Sequence, residues 1–224
     1  MRLFHHTEAG TFLSRPNRFI ARVERAGREE TVHVKNTGRC RELLVPGARV
    51  VLSRAENPGR KTGWDLVAVW KGDTLVNMDA QAPNEAAGPL LGRLFPEAVQ
   101  RREFVWGDSR FDYCLETGER RILVEVKGVT LERDGVALFP DAPTARGTKH
   151  LRELAAARKE GWAAYLLFLN QLKGCREFLP NEETDGAFAE ALRAAARAGV
   201  GVLCYDCAVT ENGMEADAPV PVRL

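Results

Sequence analysis

The chain has 224 residues, enough for one large domain or two small ones, and 45% of them are hydrophobic, enough for a buried core. Its 32 Lys and Arg stand against 31 Asp and Glu, a formal net charge of +1, so bulk charge does not mark a nucleic-acid binder and any basic surface must be local. No apolar run approaches the length of a membrane span, the start Met1-Arg2-Leu3-Phe4-His5-His6 lacks a signal-peptide core, and five scattered cysteines fit a reducing cytoplasm better than a disulfide framework.

In chain order, residues up to about Asp79 read as all-β. Phe19 to Glu24 alternates, Ala26-Gly27-Arg28 turns, and Thr31 to Lys35 alternates back. Asn36-Thr37-Gly38-Arg39-Cys40 ends that strand. Gly38 permits a left-handed turn, Cys40 to Leu44 looks like a short helix, and backbone amides there could meet a phosphate or simply cap a turn. Strands follow at Ala48–Ser53, Leu66–Trp70 and Thr74–Met78, with a loop at Asn57–Lys61. Five short strands at this spacing suit a small barrel of OB type, which binds nucleic acid on its face and loops. Its candidate contacts are Arg15, Arg18, Lys35, Asn36, Thr37, Gly38, Arg39, Arg41, Arg60 and Lys61, with Trp64 for stacking. Taken singly, each cation also reads as ordinary surface charge.

Gln81 to Gly88 shifts to Ala, Pro, Asn and Gly, a domain junction that divides the chain into 1–82 and 83–224. Asn84 is placed to cap a helix through Leu90 and Leu94 to Phe95. Arg101 to Trp106 begins the next strand. Then Arg110 to Leu115 and Arg121 to Lys127 alternate on either side of Glu116-Thr117-Gly118-Glu119, the pattern of a β-hairpin. Ile122, Val124 and Val126 fall on one face of its second strand, and Leu123, Glu125 and Lys127 on the other. On its first strand Phe111, Tyr113 and Leu115 share a face, with Asp112 opposite. A tight turn brings Asp112 within a rung or two of Glu125.

Two carboxylates and a lysine on one sheet face suit metal-assisted phosphodiester hydrolysis. Carboxylate oxygens hold a hard ion such as Mg²⁺ or Mn²⁺, and the lysine orients water and offsets charge. The same residues also fit a solvated hairpin with a Glu–Lys pair at i, i+2. After the hairpin, Val136–Pro140 reads as a short strand. Pro143-Thr144 begins a helix to about Glu160 with Leu151, Leu154 and Ala155 as its apolar stripe. Arg146, Lys149 and His150 lie round the other side, a cationic first turn for a phosphate or a plain solvated face. Trp162–Leu169 is a buried strand, 181–199 holds a helix, Val200–Tyr205 is another buried strand, and Pro219–Leu224 is placed to close the sheet. Cys204-Tyr205-Asp206-Cys207 has no companion CxxC, and on a strand its two thiols point to opposite faces.

Asp112 and, further on, Glu125-Val126-Lys127 resemble the PD-(D/E)xK signature of restriction-endonuclease-like nucleases, with Phe111 where that signature has proline. Asn36-Thr37-Gly38, Glu125-Val126-Lys127-Gly128-Val129-Thr130, Phe139-Pro140-Asp141-Ala142 and Arg146-Gly147-Thr148-Lys149-His150-Leu151 occur in that order and resemble the sugar fermentation stimulation protein family over essentially the whole chain. The resemblance implies an α+β two-domain protein, with an N-terminal OB-like β-barrel and a C-terminal α/β restriction-endonuclease-like domain with a mixed sheet, and DNA binding. It marks Glu103 as a third acid, where related nucleases often carry one.

The expectation is a cytoplasmic, metal-dependent nuclease with nucleic acid, DNA first, as its partner. Asp112 and Glu125 hold the metal, Glu103 assists, and Lys127 positions water. A homodimer is compatible with this. The rivals are a DNA-binding regulator of sugar metabolism on a nuclease-like scaffold without catalysis, and a carbohydrate enzyme built on the same two acids.

Overall fold

The computed structural model describes residues 1–36, 38–57 and 59–224; the expectation for Thr37 lies outside them. Six strands build the N-terminal part: β1 (Thr7–Asn17), β2 (Ile20–Arg25), β3 (Arg28–Val34), β4 (Arg49–Arg54), β5 (Trp64–Lys71) and β6 (Thr74–Asn77). Their order is β3-β2-β1-β4-β5-β6, and parallel pairing of β3 with β5 closes five of them into a barrel. The strand missing from the sequence reading is β1. Its Gly10 and Pro16 argue against a strand, yet register shifts after Phe12 and Ser14 bend it. It can therefore pair with β4 through Thr7–Thr11 and with β2 through Thr11–Asn17.

The Cys40–Leu44 helix does not form. The segment is a turn, closed by the Leu43 and Leu44 amides on the Cys40 carbonyl. Cys40 is its left-handed residue, at φ 45°. At Gly38 the requirement is space: a Cβ there would meet the side-chain oxygens of Asp141 and Asn36.

Helix α1 (Ala82–Leu94) follows at once. Gln81 is its N-cap residue; Asn84 lies inside the first turn, because Pro83 already occupies an early helical position where its missing N–H is harmless. The segment 81–88 is thus the buried first half of a helix rather than an open linker, with Ala82, Ala86 and Ala87 at most 2% exposed.

The C-terminal sheet runs β15-β14-β12-β9-β8-β7, and its strands are β7 (Val99–Trp106), β8 (Ser109–Thr117), β9 (Arg120–Val129), β12 (Ala163–Asn170), β14 (Gly201–Thr210) and β15 (Gly213–Pro219). Pairing of β9, β12 and β14 is parallel and the rest antiparallel, a mixed sheet. A small second sheet joins β10 (Leu131–Arg133), β11 (Val136–Phe139) and β13 (Glu177–Pro180). The closing edge strand is Gly213–Pro219, earlier than Pro219–Leu224, whose Val222 makes only an isolated bridge to Phe178.

Helix α1 covers one face of the mixed sheet with Ala86, Leu90 and Leu91, against Tyr113, Val124, Val126, Leu167 and Leu169. Helices α2 (Ala145–Lys159) and α3 (Glu182–Arg197) cover the other with Leu151, Leu154, Phe188 and Leu192, against Cys114, Leu123, Leu166 and Phe168. Central strand β12 is therefore buried on both faces, which is why it reads as a continuous apolar run. Cys204 and Cys207 fall in different cores, on opposite faces of β14. The barrel interior (Phe12, Val50, Leu52) and the α2/α3-side core (Phe168, Phe178, Phe188) belong to one contiguous apolar cluster.

Candidate active site at the fork of the hairpin

The hairpin forms as its alternation requires, with Thr117 paired to Arg120 across Gly118-Glu119. Its ladder ends at the rung Tyr113–Val124. Beyond it β8 stays with β7 but leaves β9, and the backbone N–H of Val126 is taken by Asp112 Oδ2 at 2.7 Å. This fork changes the faces. Phe111 packs in the α2-side core near Trp106 and His150, while Tyr113 and Leu115 pack on the α1 side. Phe111 thus does not share a face with Tyr113 and Leu115, because the ladder that would keep the alternation has stopped.

Asp112 and Glu125 both stand at this fork. Asp112 Oδ1 accepts from Asn84 Nδ2 of α1 at 2.8 Å, and the Asn84 carbonyl accepts from the Tyr113 hydroxyl at 2.5 Å. Glu125 is 3% exposed. Its Oε1 accepts from Lys127 Nζ at 2.5 Å and lies 2.5 Å from His150 Nδ1 of α2. Its Oε2 is buried and has no hydrogen-bond partner. Burial first, then the negative charge of Glu125, pushes the Asp112 carboxyl up to about 6. Burial would also raise Glu125, but the hydrogen bond from His150 and the charge of Lys127 outweigh it and hold this carboxyl below its usual value. The pair therefore consists of one firmly ionised acid and one whose charge is poorly compensated.

Glu103 is not brought into this set. Its carboxylate pairs with Arg110 at 2.8 Å and is 54% exposed. Left-handed backbone at Glu103, φ 55°, interrupts the β7–β8 ladder between Arg102 and Phe104. Among the described residues no group of three or more His, Cys, Asp and Glu side chains is set to hold a metal ion.

The residues expected to meet nucleic acid divide by their neighbours. Arg15 is a clamp: its guanidinium donates to the carbonyls of Arg18, Asn36, Gly38 and Arg39 at 2.7–2.9 Å. Lys35 pairs with Asp79 at 2.6 Å, and Asn36 Oδ1 accepts the Gly38 amide at 2.7 Å. The Arg39 amide donates to Asp141 of the C-terminal part at 3.0 Å, so this turn sits on the seam between the two parts. The side chains of Arg18, Arg39, Arg146 and Lys149 are exposed. Lys149 Nζ reaches the Asp108 carbonyl at 3.1 Å. His150 is the misplaced one. It is 4% exposed and belongs to the acid pair, because α2 turns Gly147, Thr148 and His150 inward along with Leu151.

A cleft of about 1180 Å³ opens between the barrel and α1, lined by Lys35, Arg60, Asp65, Asn84, Arg102 and Glu103 among others. Asn84 is the residue that this cleft shares with the acid pair. Most of its cations are already paired: Arg60 with Asp65, Lys35 with Asp79, Arg102 with Glu85. Asn84, whose reach to Asp112 depends on how α1 docks, and the Glu125 contact of His150 carry no local sequence signal.

A closed OB barrel set on an α/β domain with a mixed sheet, whose hairpin gathers a buried acid, a partly buried acid and a lysine, defines the class. The family model for the SfsA N-terminal OB domain matches residues 13–78, and that for the sugar fermentation stimulation protein RE domain matches residues 81–213. The chain belongs to the sugar fermentation stimulation protein (SfsA) family. A sugar fermentation stimulation protein homolog of Desulfitobacterium hafniense is 54% identical over 217 residues, 96% of this chain and 95% of that one. One from Ruminiclostridium cellulolyticum is 46% identical over 99% of both chains. The solved structure of Pyrococcus furiosus SfsA in complex with Ca²⁺ superposes with a TM-score of 0.90 at 27% identity, covering 100% of this chain and 98% of that one. No helix among the described residues is long and apolar enough to cross a membrane.

Proposed function

We propose that this chain binds nucleic acid, DNA first, and hydrolyses phosphodiester bonds with a divalent ion, Mg²⁺ or Mn²⁺, held by Asp112 and Glu125. The observation that carries this reading is Glu125 Oε2, a buried carboxylate oxygen without a donor beside a second, partly buried acid. An unpaired buried charge is costly, and a cation relieves both acids at once. The donor set fits: Mg²⁺ takes one or two carboxylates and fills its remaining positions with water and phosphate oxygen. The Ca²⁺ bound by the Pyrococcus furiosus relative, another hard ion, supports it.

A bound divalent ion supplies charge stabilisation at a phosphoryl oxygen and a more acidic water. The protein's part is positional. Asn84 and the Val126 amide hold Asp112. His150 and Lys127 hold Glu125 Oε1. Lys127 keeps two further protons to orient water and offset charge on the phosphate. The OB barrel and the exposed Arg18, Arg39, Arg146 and Lys149 support electrostatic binding of a phosphate backbone. Five free, buried cysteines support a reducing compartment, the cytoplasm.

The test is incubation of the purified protein with labelled single- and double-stranded DNA and RNA in Mg²⁺, Mn²⁺ or EDTA. Cleavage should appear with metal, vanish with EDTA, and be lost in Asp112→Asn. A second reading, a DNA-binding regulator without catalysis, is favoured by the position of Glu103, which leaves two acids rather than three at the fork. Binding without cleavage in any metal would select it.

A further inference from the structure

Two donors converge on Glu125 Oε1, while Oε2 has none. One of the donors, His150, lies outside the PD-(D/E)xK signature. Its ring is buried between Phe111 and the acid. Its two nitrogens face different neighbours: Nδ1 lies 2.5 Å from Glu125 Oε1, and Nε2 lies 3.4 Å from Arg146 Nε, one helical turn back on α2.

These neighbours determine which nitrogen carries the proton. An ionised carboxylate only accepts, so Nδ1 must donate. An arginine Nε–H only donates, so Nε2 must accept. Of the two neutral tautomers, only Nδ1–H meets both requirements. The line Arg146→His150→Glu125 is therefore polarised in one direction, from an exposed guanidinium to a buried carboxylate oxygen.

We propose that His150, set in its Nδ1–H tautomer by Arg146, is a positioning residue that ties down Glu125 Oε1 and thereby leaves Oε2 free for the divalent ion. The inference rests on the metal site proposed above. Without the Nδ1–H donor, Glu125 can rotate about its last torsion and spend Oε2 on Lys127, or on the fork itself. Groups that orient a ligating carboxylate in this way are worth about 10–100-fold in metal affinity. His150 touches neither phosphate nor water in this scheme; it acts through Glu125. Arg146, expected as a phosphate contact, acquires a second role through the same hydrogen bond.

The experiment uses the full chain and has two readouts besides activity. In metal-free protein labelled with ¹⁵N-histidine, His150 should show a protonated Nδ1 and an unprotonated Nε2. A protonated Nε2 would overturn the assignment. Mn²⁺ affinity is then measured by calorimetry on wild type, His150→Asn, His150→Gln and Arg146→Ala. Asparagine places an amide N–H where Nδ1 sits, so His150→Asn should stay near wild type. Glutamine carries its amide out to where Nε2 sits, so His150→Gln should lose about 10–100-fold. Equal affinities, or equal losses, in those two variants would reduce His150 to packing. Arg146 is exposed, so Arg146→Ala keeps the test alive if His150→Gln fails to fold. It should weaken Mn²⁺ binding and mix the tautomers; no change in either would remove Arg146 from the proposal. Wild type that binds no Mn²⁺ would defeat the metal reading, and this inference with it. Wild type that binds alongside an equally tight His150→Gln would defeat the positioning role alone.

Discussion

Asp112 is the carboxyl group whose environment departs furthest from its ordinary state. Its carboxyl titrates at about 6 in the fold, against a usual 3.8. Between those values the native state holds a proton that the unfolded chain has lost, so the metal-free protein should lose stability as pH rises through that window. Glu125 works in the opposite sense. Its lowered pKa contributes stability above the usual 4.5, which is lost as pH falls through the lower native value. Asp112→Asn removes the poorly compensated charge but turns an amide N–H toward the Asn84 or Val126 donor, so at pH 7 its metal-free melting temperature should stay near that of wild type, while the rise that wild type shows with Mg²⁺ should disappear. Paired melts with and without the ion, repeated at pH 4.5 and 7, check both statements; an unchanged metal shift would remove Asp112 from the site. Lys127→Ala should behave differently. Metal still binds, while cleavage falls by about 10²-fold, because the lysine acts on the water and the transition state. Calorimetry beside a cleavage assay separates these effects.

Among the elements, the β1–β2 turn, the turn after β3 and the start of α2 carry the exposed cations. Arg18 and Lys149 are exposed, and the contacts of Lys149 with the Asp108 carbonyl and Glu153 lie at the surface where a phosphate can replace them, whereas Arg15 holds four carbonyls of the two turns. Arg18→Ala or Lys149→Ala should each lower the slope of log affinity for an oligonucleotide against log salt by about 0.7–0.9 and leave the melting temperature nearly unchanged. Arg15→Ala should instead cost stability, about 1–3 kcal/mol for a carbonyl left without a donor. A salt titration and a urea titration on the same three variants decide the matter. Strand β9 has a second constraint, at Gly128. A Cβ there would lie within 2.7 Å of Pro83 Cγ in α1 and against the Gln171 side chain after β12. Gly128→Ala should destabilise by about 1–3 kcal/mol, read as a lower urea midpoint at constant slope, since three elements must move together to admit a methyl group.

At the scale of the molecule, the composition shift near Gln81 suggests two separable halves, yet the junction is locked. Gln171 Nε2 donates to the Asn77 carbonyl, Asn77 Oδ1 and the Asp79 carbonyl at 3.0–3.1 Å, and the Asn77 amide donates back to the Gln171 carbonyl at 2.8 Å. All three residues are buried. With one apolar cluster running through both parts, barrel and α/β domain should unfold together. Two tryptophans lie in each part: Trp64 and Trp70, then Trp106 and Trp162. Urea curves from a variant keeping only the first pair and one keeping only the second should coincide. Separate midpoints would show independent halves. Gln171→Ala should split the transition, because it removes three buried hydrogen bonds at the seam. In limited trypsin digestion, the exposed Lys61 in the loop between β4 and β5 should be cut before any site in α1.

The hairpin was legible in the sequence because a two-residue period and a glycine turn specify both faces and register locally. The same holds for the apolar run of β12 and for α2, which starts at Thr144 as its capping chemistry dictates. From these, Asp112, Glu125 and Lys127 could be placed together on spacing alone. Strand β1 was hidden, since its glycine and proline are tolerated only through register shifts that depend on having β2 and β4 on either side. The reversal of Phe111 was hidden too, because it follows from a ladder that stops when a side chain takes a backbone N–H. What the tertiary structure alone decided is the company that the acids keep. Helix periodicity can say which residues share a face, but only the docking of α1 and α2 on opposite sides of one sheet sets Asn84 on Asp112 and His150 on Glu125. Those contacts join residues 28 and 25 positions apart, beyond the reach of any local pattern, and they leave one buried carboxylate oxygen without a partner.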